Sequence, residues 1–159
     1  MASFFPLISE ILPMIFPAKT QVTRARDMEV GKSAAGGPVT VTPAIVGKCE
    51  NMSATVSTIR THSKTPVHHN GEQNAIMFVV SGNCTLVVSE SFEIELQRYD
   101  LGAGDFAFIP AWTEHQIVNE DDFDLICVVV HGGSRPVGAT LEDWGGDETS
   151  DQGWKPRPN

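Results

Sequence analysis

The chain has 159 residues, 41% of them hydrophobic and 19% charged, which fits one globular domain with a hydrophobic core. Its formal net charge is −9, and an acidic surface repels nucleic-acid phosphates and anionic lipids. We therefore expect neither nucleic-acid nor membrane binding.

The first 40 residues are predicted to form an apolar N-terminal arm. The start, "MASFFPLISEILPMIFPAKT", lacks a basic region and contains Glu10 and three prolines, so it does not fit a secretory signal. The run is also too short for a membrane span, which needs about 20 apolar residues. We expect one short helix within "PLISEILPMI" and packing of the arm on the domain or on a second subunit.

Residues 41–141 have the pattern of short strands separated by Gly and Pro. The predicted strands are 54–60, 75–81, 84–89, 91–101, 106–110, 115–119 and 123–133. The Ser-Gly-Asn turn around Gly82 predicts a hairpin, and Phe92, Ile94 and Leu96 are predicted to share one face. This spacing predicts an all-β antiparallel sandwich or barrel.

The ends of the chain and its cysteines complete the outline. Residues 142–159 are rich in Gly, Pro and Asp and are predicted to be a flexible C-terminal tail, anchored by Trp144 and Trp154.

The three cysteines cannot all pair within the chain. Cys84 and Cys127 lie in apolar runs, which indicates buried free thiols in a reducing compartment, the cytoplasm.

Two segments resemble the metal motifs of the cupin family. "GDFAFIPAWTEHQIVN" follows the second motif, G-x5-P-x-G-x2-H-x3-N, with Gly104, Pro110, His115 and Asn119 in place. Trp112 stands at the motif's second glycine.

The first motif, G-x5-H-x-H-x3/4-E-x6-G, is degenerate. His68 fits its first histidine and Gly82 its closing glycine, but Asn70 replaces the second histidine and His62 the leading glycine. The carboxylate position falls on Asn74 or on Ala75. Together with "HHNGEQ" and "HGGSRPV", the pattern is similar to small single-domain fungal-type cupins, which implies a cupin jelly-roll β-barrel (double-stranded β-helix).

The resemblance implies a pocket inside the barrel with a reduced metal set. Its inward residues would be His68, Asn70, Asn74 and His115. Replacing an imidazole and a carboxylate by two amides removes one charge and one strong donor, so divalent affinity should fall by orders of magnitude. We expect at most one weakly bound divalent ion (Fe, Zn or Mn) at His68 and His115, or none.

The candidate residues fall into three groups. The candidate catalytic residues are His68, His115 and Glu72. The candidate substrate-binding residues are Asn70, Asn74, Phe78, Phe108 and Trp112. The residues expected outside the pocket are His69 on the opposite strand face, Glu114 exposed at a turn, Asn119 as a strand brace, and His62 and His131 as hydrogen-bonded strand residues.

Three functions stay open at this point. The leading hypothesis is a lyase or isomerase that performs acid–base chemistry, namely isomerisation, dehydration, cyclisation or decarboxylation, on a polyketide-like or carbonyl-rich compound. That this compound is a secondary-metabolite intermediate is what the resemblance implies. The alternatives are a metal-dependent cupin dioxygenase and a non-catalytic ligand-binding cupin. In each case the expected partners are a small molecule and a second copy of the chain in a homodimer.

Overall fold

A computed structural model describes residues 18–28, 37–90 and 94–149. Within these ranges the chain forms eleven strands and one short 3-10 turn at Ala25–Asp27. The helix predicted within residues 6–15 lies outside the described residues, as do residues 150–159. No helix in the described part is long and apolar enough to cross a membrane.

The strands are short, as the Gly and Pro punctuation predicts. In chain order they are β1 (Val39–Ile45), β2 (Ser53–Ile59), β3 (Ser63–Lys64), β4 (His68–His69), β5 (Ala75–Ser81), β6 (Asn83–Ser89), β7 (Gln97–Gly102), β8 (Phe106–Ile109), β9 (Glu114–Asn119), β10 (Leu125–His131) and β11 (Ala139–Thr140). They form two antiparallel sheets. The first has the order β1-β2-β10-β5-β8, and the second has the order β11-β4-β9-β6-β7, with β3 also paired to β9. The predicted all-β jelly roll is confirmed.

The hairpin predicted around Gly82 is wrong. β5 pairs with β10 and β8 in the first sheet, whereas β6 pairs with β7 and β9 in the second. The chain therefore changes sheets at Gly82, whose φ is 87°. A Cβ there would lie 2.8 Å from the carbonyl oxygen of Asp124, so the glycine permits a close backbone crossing.

The strand predicted over residues 91–101 is shorter than expected. β7 begins only at Gln97, and Ile94 is fully exposed, so it does not form an inward face with Leu96. Residues 91–93, including Phe92, lie outside the described residues. The alternation of apolar and polar residues therefore begins before the part of the segment that pairs with β6, so it predicted too long a strand.

The interior of the sandwich holds Asn119 in one half and the buried histidines in the other, with hydrophobic residues in both. The buried hydrophobic core includes Ile59 and Leu125 in the first sheet and Ile117 in the second. The side chain of buried Asn119 donates to the carbonyl oxygen of Ile59, which places these strand ends together. His115, near the start of β9, lies at the opposite half, about 13 Å along the strand from Asn119.

The boundaries predicted for the domain differ in detail from the structure. β1 begins at Val39, two residues before the predicted start at 41. At the other end, the amide of Leu141 donates to Val67, and that of Thr149 donates to Thr140. Residues 142–149, predicted to be a flexible tail, are therefore hydrogen-bonded to the barrel. Trp144 within this stretch is half-buried.

Candidate functional site

The two predicted histidines meet inside the barrel. His68 on β4 and His115 on β9 are direct Cα partners, so their side chains leave the same face of the second sheet. Their ring centroids lie 4.1 Å apart with an interplanar angle of 54°. His115 is 2% exposed, and His68 is half-buried, which leaves the pair accessible to a ligand through His68.

Hydrogen bonds to the backbone orient both rings in the same way. Nδ1 of His68 lies 2.9 Å from the carbonyl oxygen of Pro66, and Nδ1 of His115 lies 2.9 Å from that of Thr113. A carbonyl can only accept, so each Nδ1 carries the proton when the ring is neutral. Nε2 of each ring is then a lone-pair acceptor available to a ligand.

Both histidines are held neutral. Burial lowers the pKa of His115 to about 3, and the neighbouring His68 adds to the shift. Burial also lowers the pKa of His68, against the smaller opposing effect of its hydrogen bond to Pro66. At neutral pH the site therefore presents two uncharged bases.

The three polar residues predicted beside the histidines are placed differently from one another. Asn70 is buried, as expected for an inward residue two positions after His68. The side-chain oxygen of Asn74 accepts the amide of Ala111 at 2.9 Å, so it holds the loop before β9. Glu72 is exposed in the turn after β4. Of the three, Asn70 alone is positioned as an interior polar group.

Trp112 and His69 form a separate contact at the rim. Their ring centroids are 5.4 Å apart, and Nδ1 of His69 accepts the amide of Gly71. Trp112 has φ 61°, so it keeps the left-handed backbone expected at the motif's glycine, and it is 64% exposed. His69 thus packs on Trp112 at the rim, near enough to the histidine pair to contribute to the lowered pKa of both rings. Trp112 forms the edge of the site.

The structure does not bring Phe78 and Phe108 to the site. The inward residues of β5 are Ala75, Met77 and Val79, so Phe78 leaves the opposite face of the first sheet. Phe108 is 63% exposed on the same outer face. Their expected role as apolar lining is therefore not supported by their positions.

The remaining polar residues have structural contacts. Asn119 is fully buried and donates to the carbonyl oxygens of Ile59, Arg60 and Phe123, which fits the brace predicted for it. Nε2 of exposed His62 lies 2.8 Å from a carboxylate oxygen of Asp122. Glu114, predicted to be exposed, is half-buried and accepts the amide of Gly145.

One interior histidine was missed by the sequence reasoning. His131, the last residue of β10, is 8% exposed, and its Nδ1 is buried without a protein partner. Burial lowers the pKa of His131 to about 4, and His68 contributes to the shift, so the rings interact electrostatically. His131 lies outside both motifs, but its place in the alternation from Leu125 could have identified it as inward-facing.

The donor set does not fit the metal centre that the cupin motifs describe. No group of three His, Cys, Asp or Glu side chains in the described residues is placed to hold an ion. Asn70 stands in place of a histidine, the Asn74 oxygen is used by Ala111, and Glu72 is not grouped with the histidines. His68 and His115 remain as two ligands, too few for a centre of three or four protein ligands.

An open depression in the described part of the chain lies away from the histidines. It has a volume of about 470 Å³ and is lined by residues of β6, β7, β9 and the loop after β9, among them Asn83, Asp100 and Asp121. It contains none of the residues predicted for the site, so we base the site on the histidine geometry.

Comparisons with known structures agree with this architecture. Oxalate decarboxylase from Lactobacillus farciminis, in complex with formate, matches with a TM-score of 0.65 and 21% identity over 75% of this chain and 35% of that chain. Oxalate decarboxylase from Bacillus subtilis at pH 4.6 matches with a TM-score of 0.66 and 17% identity over 76% and 31%. A further structure of the Bacillus subtilis enzyme, described for its Mn(II) centres, matches with a TM-score of 0.65 and 14% identity. This match covers 73% of this chain and 31% of that chain.

At these identities the likeness shows the fold alone, and the chain spans about a third of the length of these structures. A search of curated protein sequences finds no significant match. The cupin domain family matches residues 55–131, which run from β2 to the end of β10 and include both histidine motifs. Residues 55–131 are therefore a cupin domain, and the chain has the jelly-roll fold of the cupin superfamily.

Proposed function

We propose that the protein is a small-molecule enzyme that moves protons within its barrel, acting as a lyase or isomerase on a carbonyl-rich compound. The observation that carries this proposal is the contact of two neutral imidazoles, each with Nδ1 bonded to a carbonyl. Such rings present Nε2 lone pairs in a largely buried site, since His115 is buried and His68 is half-buried. The chemistry open to them without a further cofactor is proton abstraction and return.

The proposed reaction begins with a C–H bond next to a carbonyl group. Nε2 of His68 or His115 takes the proton, and the electron pair of the C–H bond becomes the enolate of the substrate. The positive imidazolium beside the enolate is stabilised by that charge, which offsets the low pKa of the empty site. We assign to the amide of Asn70, a buried residue two positions after His68, the hydrogen bond to the enolate oxygen. Return of the proton to another carbon completes an isomerisation.

Deuterium exchange tests this function directly. We would incubate the protein with para-hydroxyacetophenone in D2O and follow loss of the acetyl proton signal by NMR. A positioned general base contributes roughly a hundredfold or more, so the exchange should be clearly faster than in buffer. The His115→Gln variant should lose the acceleration.

The matched control is His62→Asn, which changes an exposed histidine that contacts Asp122 outside the site. Asn also tolerates the positive φ of 52° at this position. This variant should exchange deuterium at the wild-type rate. Binding of the probe without exchange would favour a non-catalytic ligand-binding role instead.

A divalent-metal enzyme is the second candidate. It is favoured by one observation: a histidine that binds a metal commonly donates its other ring nitrogen to a carbonyl, as His68 and His115 both do. Metal analysis of protein purified without chelator separates the two candidates. Near-stoichiometric iron, zinc or manganese that is lost in His115→Gln would support the second candidate.

A further inference from the structure

His131 and Ser53 are neighbours across two strands of the first sheet. They are Cα partners in the pairing of β10 with β2, so their side chains leave the same face. Ser53 is 1% exposed and His131 is 8% exposed. The face they share is the interior one, since it also carries buried Leu125 and Cys127 from β10.

Both side chains have a buried polar atom without a partner. Nδ1 of His131 and Oγ of Ser53 are the two buried side-chain nitrogen or oxygen atoms, among the described residues, that make no hydrogen bond. Leaving such an atom unsatisfied costs about 1–3 kcal/mol. Two such atoms, one on each of two paired strands, indicate a hydrogen-bond partner that the chain itself does not supply.

The two atoms lie in the same half of the barrel as the histidine pair, on the other sheet. His131 ends β10, six residues beyond Leu125, whereas His68 and His115 belong to the second sheet. Facing sheets are about 10 Å apart, so groups on the two walls are close enough to contact opposite ends of one small molecule. His68 also contributes to the lowered pKa of His131, as expected for side chains on facing walls.

The groups on both walls are uncharged. The three histidines are held neutral by burial, and the others are a hydroxyl and an amide. These groups can form hydrogen bonds with a ligand, but none carries a positive charge that could pair with a buried anion. A neutral ligand therefore suits the pocket better than an anion.

We propose that Ser53 and His131 form a second polar contact of the pocket, which binds a hydroxyl or carbonyl group at the far end of a neutral ligand. The reacting end of that ligand lies at His68 and His115. This inference rests on the proposed function, because it assigns the class of substrate for the same pocket: a flat neutral molecule with oxygen groups at both ends.

The experiment compares two probes that differ by one hydroxyl group. Calorimetric titrations at slightly acidic pH would measure binding of para-hydroxyacetophenone and of acetophenone to the wild type, Ser53→Ala and His131→Phe. The matched control is Ser57→Ala, a buried serine on the same face of β2, about 13 Å from Ser53.

The expected result is a loss of discrimination. Each of Ser53→Ala and His131→Phe should weaken binding of para-hydroxyacetophenone by about fivefold, the effect of one hydrogen bond, while acetophenone binds as before. Ser57→Ala should bind both probes like the wild type. Ser53→Ala should also melt at the same temperature as the wild type or higher, because it removes a buried hydroxyl that has no partner.

Three outcomes would overturn the inference. One is equal affinity of Ser53→Ala and the wild type for para-hydroxyacetophenone, and another is failure of the wild type to bind either probe. The third is a lower melting temperature of Ser53→Ala with unchanged affinity, which would indicate a structural water rather than a ligand. If Ser53→Ala keeps its affinity while His115→Gln loses deuterium exchange, the inference fails and the proposed function stands. If no deuterium exchange occurs but the affinities change as expected, the proposed function fails and the inference stands.

Discussion

His68 and His115, one from each sequence motif, are direct Cα partners on adjacent strands, with ring centroids 4.1 Å apart. Each ring is fixed by a hydrogen bond to the carbonyl two residues before it. Because β4 is only two residues long, the placement of His68 depends on its pairing with β9 and β11 rather than on a long strand of its own. The second sheet therefore positions the pair before any ligand arrives.

The buried histidines should make the protein sensitive to mild acid. The pKa of His115 is lowered from 6.5 to about 3 and that of His131 to about 4, chiefly by burial, while unfolding restores the ordinary value. Between about pH 6.5 and about pH 4 the unfolded state therefore binds more protons than the folded state. Stability should be complete above about pH 6.5 and should fall below it, by about 1 kcal/mol per pH unit for each histidine.

Urea unfolding at a series of pH values checks this expectation. His131→Phe should show a shallower fall in the free energy of unfolding below about pH 6.5, since it removes one of the titrating groups. A stability that stays constant from neutral pH down to about pH 4 would contradict the neutral state assigned to the two histidines.

The hydrogen bonds of Asn119 should be lost when a negatively charged side chain replaces its amide. Its amide nitrogen donates to three backbone carbonyls, and its oxygen accepts the amide of Asp121. Asn119→Asp keeps the shape but points a carboxylate at those carbonyls, so we expect a loss of about 3 kcal/mol or more. Denaturant unfolding measures the loss, with Asn51→Asp at an exposed position as the control. Equal stability of the two variants would contradict the role of Asn119.

The glycine at the sheet crossing should be sensitive to a single methyl group. At Gly82 an added Cβ would combine a positive φ of 87° with an approach of 2.8 Å to the Asp124 carbonyl oxygen. Gly104 has a similar φ of 92°, but nothing lies within 4 Å of its added Cβ. We expect Gly82→Ala to lose about 2–4 kcal/mol and Gly104→Ala about 1 kcal/mol.

Thermal unfolding of the two glycine variants separates the cost of the positive φ from the cost of the contact with the Asp124 carbonyl. The positive φ is common to both variants, so the difference between their stability losses measures the contact at Gly82. Equal losses would mean that the chain can move apart at Gly82 without penalty.

We propose that the outer face of the first sheet is the contact between two copies of the chain. Phe106 and Phe108 are 66% and 63% exposed, and the Phe106 ring lies 4.6 Å from that of Phe78. Such a cluster on a sheet face is more typical of an interface than of a free surface. Sedimentation should give a dimer for the wild type and a monomer for the Phe106→Ser, Phe108→Ser double variant.

The control for the dimer is Phe123→Ser, which removes a phenylalanine that is 72% exposed in the loop between β9 and β10. It should sediment like the wild type. An unchanged mass for the double variant, or a monomeric wild type, would reject the proposed contact.

The sequence predicted those parts of the molecule that depend on local spacing. The strand pattern gave the all-β class, and the two motifs correctly predicted that His68 and His115 meet. At Gly82, a local turn signal predicted a hairpin, but the partners of β5 and β6 are distant in the chain, and turn residues do not report them.

The errors at the site have a related cause. β5 and β8 carry apolar residues on both faces, so alternation could not decide whether Phe78 and Phe108 point inward. Ser53 and His131 were not predicted as a pair, because they meet only through the pairing of β2 with β10. Motif spacing describes neighbours along one strand, whereas the opposite wall of the pocket comes from the other sheet.

The rate of deuterium exchange into para-hydroxyacetophenone is the most direct test of the claim that the His68–His115 pair moves protons. The account predicts faster exchange than in buffer for the wild type and for His62→Asn, and the buffer rate for His115→Gln and His68→Gln. Exchange that persists at the wild-type rate in both of these glutamine variants would contradict it, because the protons would then be moved by other groups.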